Sequence, residues 1–122
     1  MPLNEPLNGL QGHISVLEGC EMYRGTTPTL YLELDTELDL SNVAEMWITF
    51  KSPTVEITKT LNEVAFDAET NVITVTLSQD ETLQLYNGKA DVQVRLKTSD
   101  DLAYATDIVD VEIGRILKEG VI

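Results

Sequence analysis

Few residues in this 122-residue chain are of a kind that does chemistry. Acyl transfer needs a nucleophile, a base and a group that orients the base. The chain has one histidine, His13, and one cysteine, Cys20, both within its first twenty residues. No Gly-x-Ser-x-Gly elbow frames a serine, and Arg24 is the basic residue nearest Cys20. Both His13 and Cys20 are therefore read as structural or incidental. A single cysteine permits no internal disulfide and no cysteine-based zinc cluster. Gly9 and Gly12 lack a following Lys-Ser/Thr, so they do not form a phosphate loop. No cofactor is expected.

Carboxylates are plentiful and need a separate test. Asp35-x-Glu37-x-Asp39 has the alternate spacing that opens a calcium loop. As an EF-hand it fails, because its sixth position is Leu40 instead of glycine and its twelfth is Met46 instead of glutamate. A weak, adventitious Ca²⁺ site between acidic loops is the one metal reading left. A glycosidase needs an acid and a base about 5–9 Å apart. The acids here alternate outward along strands, and seven aromatic residues give little for a sugar to stack on. The expectation is a protein without catalytic activity. Trp47 stands apart: it shares a strand face with Glu45 and Thr49, opposite Met46, Ile48 and Phe50. Either the register is off by one and Trp47 is core, or Trp47 is a contact residue.

Charge excludes other classes. The chain holds 21 acidic against 8 basic residues, a formal −13. A nucleic-acid binder needs a basic surface that displaces counterions from phosphate. An anionic membrane surface would repel the same chain. No apolar run reaches bilayer length, and no basic segment with a following apolar stretch opens the chain, so no span and no secretory signal are expected.

The elements that must position these residues are strands. Thr29–Asp35 alternates Leu30, Leu32 and Leu34 with Tyr31, Glu33 and Asp35. Val43–Phe50 and Val72–Leu77 repeat the pattern, and Val55–Lys59 is a short strand after Pro53. Ser78-Gln79-Asp80-Glu81 fits a capping box and predicts one or two helical turns from about Gln79 to Leu85. Asn87-Gly88 is turn chemistry. Ala90, Val92, Val94 and Leu96 form the inward face of the next strand, and Ser99-Asp100-Asp101 turns it into a returning strand, Ala103–Ile113. About seven strands at roughly 8–12-residue spacing predict an all-β, immunoglobulin-like, two-sheet antiparallel sandwich with one short helical turn. The paired cysteines of antibody domains are missing.

Residues 1–21 differ in texture. Residues 1–12 carry two Pro, two Gly and two Asn, with leucines at irregular spacing. This stretch reads as an extended N-terminal arm before a sandwich domain at 22–122. A floppy terminus and an arm ordered against a neighbouring subunit both fit. Within it His13–Glu18 is apolar at positions 14, 16 and 17, a candidate first short strand. The candidate interface residues are Leu3, Leu7, Leu10, Ile14 and Trp47. Deleting 1–21 is expected to leave the melting of the sandwich nearly unchanged while weakening assembly.

Met22-Tyr23-Arg24-Gly25-Thr26-Thr27-Pro28-Thr29-Leu30 carries a resemblance. Val43–Phe50, Ile57-Thr58-Lys59-Thr60, Leu77–Leu83, Val92–Arg95 and Arg115–Ile122 extend it, so it covers about 22–122. The chain resembles small structural proteins of phages and prophages of Gram-positive hosts, and is similar to the Ig-like N-terminal domain of siphophage upper-baseplate proteins. The resemblance implies a virion component at tail, baseplate, neck or capsid surface, assembled in the host cytoplasm. Its partners would be other virion proteins, in a homo- or hetero-oligomer, with no nucleic acid and no membrane. The other class of reading is an accessory adhesion or carbohydrate-binding module displayed on the particle.

Overall fold

Leu30, Leu32 and Leu34 point to one side of their strand and Tyr31, Glu33 and Asp35 to the other, as a period of two requires. The structure, a computed structural model, describes residues 11–17, 21–36, 39–85 and 88–122. Leu3, Leu7, Leu10, Cys20, Glu37 and Asn87 lie outside the described residues. In chain order the elements are β1 (Gln11–Leu17), β2 (Glu21–Tyr23), β3 (Thr29–Asp35), β4 (Val43–Ser52), β5 (Val55–Thr60) and β6 (Ala65–Asp67). β7 (Val72–Thr76), α1 (Gln79–Gln84), β8 (Gly88–Thr98), β9 (Ala103–Thr106) and β10 (Val109–Gly114) follow.

The strands form two sheets. In the first, β3 pairs antiparallel with β1 on one side and β7 on the other, and β6 closes the edge. In the second, β8 is central, flanked by β4 with β5 beyond it and by β9 and β10 along its other edge. Between them lies the core that the alternation predicts: Leu30, Leu32, Leu34, Met46, Ile48, Phe50, Ile73, Val75, Val92, Val94 and Val111 are all buried. At roughly 1.5–3 kcal/mol for each large apolar side chain removed from water, this layer is the main stabilising term.

Two features differ from the sequence expectation. The sheets are not wholly antiparallel: Gln11 and Gly12 of β1 pair parallel with β9, and β2 pairs parallel with β10. The returning strand is also split. Arg95 faces Ala105 but Val92 faces Val109, so the register on β8 slips by one residue around Asp107 and Ile108. Such a slip is a bulge, which bends one strand of a pair.

The bulge and β1 explain each other. β1 starts beside β9, then leaves that sheet and pairs with β3 from His13 onward. At the crossing, the Asp107 carboxylate accepts the Ile14 N–H at 3.0 Å and holds His13 Nδ1 at 3.0 Å, while the Asp107 N–H donates to the Gly12 carbonyl at 3.1 Å. Gly12 is needed there: a Cβ would sit 3.0 Å from Thr36 Cβ and 3.2 Å from the Asp35 carbonyl. Residues 11–17 are thus a strand shared by both sheets, so this part of 1–21 is not an arm outside the sandwich, and the candidate short strand from His13 is present within β1. The sequence signalled it only from His13 onward, because a strand that changes sheets does not keep one buried face.

Candidate functional site

α1 and the β2–β3 turn are built against each other. The Ser78 hydroxyl accepts the Glu81 N–H and Glu81 Oε1 accepts the Ser78 N–H, the reciprocal capping box. Lys59 of β5 reaches Glu81 at 2.8 Å. Burial pushes the Glu81 carboxyl up, but the Lys59 ammonium and the Ser78 donors outweigh it and hold the group below its ordinary value. The helix then presents Thr82, 1% exposed. Its hydroxyl accepts the N–H groups of Gly25 at 2.9 Å and Thr26 at 3.1 Å, and lies 2.9 Å from the Thr26 carbonyl as donor. Arg24 donates Nε–H to the Leu85 carbonyl at 2.7 Å, covers the Leu83 carbonyl with Nη2, and pairs with Glu119. Glu119 and Ile122, which exchanges hydrogen bonds with the Gln79 amide, lay the last residues of the chain across the same end. This arrangement is a latch: Met22–Leu30 and Leu77–Leu83, two of the strings that carry the resemblance, hold each other.

The exposed counterpart is the outer face of the β4–β8 sheet. Trp47 points outward and is 48% exposed, so the reading of Trp47 as core is overturned. Its strand neighbours Met46, Ile48 and Phe50 take the inward positions of β4. Its register partner on β8 is Arg95, whose guanidinium sits 5.4 Å from the ring centroid. That is a cation–π contact, which holds both side chains flat on the sheet. Around them Thr49 bonds Thr58 across the strands at 3.0 Å, and Gln93 caps the Thr106 carbonyl at 2.8 Å. Small Ala103 leaves a shallow groove bounded by Glu45, Trp47, Arg95 and Lys97. The face is exposed and open, with the groove an indentation beside Arg95.

The other candidate residues separate from it. Ile14 is 3% exposed and packs in the core, so its side chain is not a surface contact. His13 is at the strand crossing, where the Asp107 hydrogen bond and charge, with Asp35 adding to them, raise its pKa above the ordinary 6.5. Asp39 accepts the Ser41 backbone N–H at 3.0 Å, which lowers its pKa and accounts for it as a turn residue. Among the described residues no three His, Cys, Asp or Glu side chains gather as metal ligands. Arg95 was missed as a site residue because its meeting with Trp47 joins strands almost fifty positions apart, which composition and spacing do not show.

No family model matches the chain, and no curated protein matches it. Among solved structures it is similar to a marsupial T cell receptor, with a TM-score of 0.52 over 88% of this chain at 8% identity. The match spans 36% of the receptor chain, and at that identity it speaks for the fold alone. Together with the two packed sheets and the strand shared between them, it gives the chain an immunoglobulin-like β-sandwich fold.

Proposed function

We propose that the chain is a non-enzymatic structural component of a phage virion that works through protein–protein assembly at the tail, baseplate, neck or capsid surface, and that it is assembled in the host cytoplasm. The observation that carries this is the Trp47–Arg95 platform. A large aromatic half-exposed on the outer face of a sheet, with an arginine stacked on it, combines two residue types enriched at protein interfaces. The latch supports the same reading from the other side. Two of the strings that carry the resemblance to phage proteins fasten α1 to the β2–β3 turn, which fits a scaffold role. A carbohydrate-binding module would stack a sugar on its aromatic, and on the face that Arg95 covers the sugar would have to displace the guanidinium.

Purified particles analysed by mass spectrometry test the proposal. The chain is expected in the virion in fixed proportion to a tail or head protein, and its absence from washed particles overturns the reading. Trp47→Ala is expected to melt within a few degrees of the parent yet to be lost from particles. Incorporation at the parental level would remove the platform from the assembly contact.

A further inference from the structure

The basic residues on strands are confined to one sheet, whose strands also carry Glu45, Glu56, Asp91, Asp110 and Glu112. The strands of the second sheet carry Lys51, Lys59, Lys89, Arg95 and Lys97, while β1, β3, β6 and β7 contain no Lys or Arg. The outer face of that first sheet instead lines up Tyr31, Glu33 and Asp35 along β3, with Asp67 two strands away on β6. Tyr31 is 44% exposed at one end of this acidic strip. On the opposite sheet the cations are not equivalent. Lys51, Lys59, Lys89 and Lys97 pair with Glu56, Glu81, Asp110 and Asp101. Among the described residues no carboxylate lies within ion-pair distance of Arg95; it stacks on Trp47 beside Gln93, Thr49 and Ala105, and Glu45 and Lys97 line the groove next to it without pairing with it.

We infer that the Trp47–Arg95 platform of one copy docks the Tyr31–Glu33–Asp35 strip of a second copy. This partner deepens the assembly reading above and rests on it. Each surface offers one exposed aromatic, and the unpaired Arg95 beside Trp47 is opposite in charge to Glu33 and Asp35 beside Tyr31, so the guanidinium meets a carboxylate while the rings bury each other. Because the two surfaces are on opposite sheets, the contact is head-to-tail, and repeating it builds a ring or an open row instead of a closed pair. Two chains of −13 repel at long range. At physiological ionic strength the screening length is about 8 Å, which leaves the short-range contact in control.

Sedimentation of the full chain in physiological salt tests this. The average mass is expected to rise with concentration beyond twice the 13.5 kDa of one chain. Arg95→Glu alone, and the double change Tyr31→Ser with Glu33→Gln alone, are expected to stay at monomer mass, with unchanged circular dichroism showing that both fold. Mixed in equal amounts they should double in mass and stop, since the first variant keeps its acidic strip and the second its platform. A parent chain that stays monomeric at every concentration overturns the inference, as does a strip variant that associates like the parent. A monomeric parent that is nonetheless present in virions would sink self-docking and leave the virion reading standing, with a foreign acidic protein as the occupant.

Discussion

Thr82 shows how much one side chain can settle. Its hydroxyl is the partner of two backbone N–H groups in the β2–β3 turn, and the residue is sealed from water. Thr82→Val keeps the shape and strands both donors, so about 2–4 kcal/mol of stability should be lost, read as a lower urea midpoint. Thr82→Ser keeps the hydroxyl and should lose much less. If Val and Ser behave alike, the hydrogen bonds are not what holds the turn. His13 gives a prediction with a pH sign. Its folded pKa lies above the unfolded 6.5 because Asp107 and Asp35 favour the imidazolium. The stabilisation is therefore fully present below about pH 6.5 and is lost as pH rises through the folded value. Melting of His13→Gln against the parent should differ in acid and converge in alkali. A constant difference across pH would assign the effect to packing.

At the scale of elements, β1 carries the largest revision. A strand paired with both β3 and β9 cannot be removed as a tail can. Deleting residues 1–21 should therefore lower the melting temperature strongly, against the sequence expectation of little change. Ile14→Ala should by itself cost about 2–5 kcal/mol for a buried isoleucine, measured by denaturant unfolding. A loss below about 0.5 kcal/mol would mean that β1 adds little to the fold. α1 tests the coupling between neighbouring elements. Glu81→Gln preserves the capping box but removes the charge that Lys59 meets. The folded pKa of Glu81 is depressed, so this part of its contribution is present above the unfolded 4.5 and lost as pH falls through the folded value. The variant should be weaker than the parent at neutral pH and match it in strong acid.

For the molecule as a whole, the −13 charge is a solvated coat on the strands and turns. Approaching the sequence pI of about 4.2 removes it, and solubility should pass through a minimum there, seen as turbidity. Clear solutions at that pH would show that charge is not what keeps the sheets apart. Strand positions and inward faces were legible because the signal is local: a period of two along β3, β4, β7 and β8 assigns every leucine and valine to a side without reference to any partner. The capping box of α1 was legible for the same reason, since Ser78 and Glu81 are three residues apart. The alternation also put Trp47 on the outer face, but residue type argued against it. The structure keeps the alternation, with Met46, Ile48 and Phe50 buried and Trp47 exposed. What lay beyond the sequence was every choice of partner. That β1 crosses between sheets at Gly12, that Thr82 reaches the amides of Gly25 and Thr26, and that Arg95 stacks on Trp47 are contacts between distant positions. A local pattern states which side of a strand is buried. Only the packed chain determines which strand lies beside it, because that depends on how all the apolar faces share one interior.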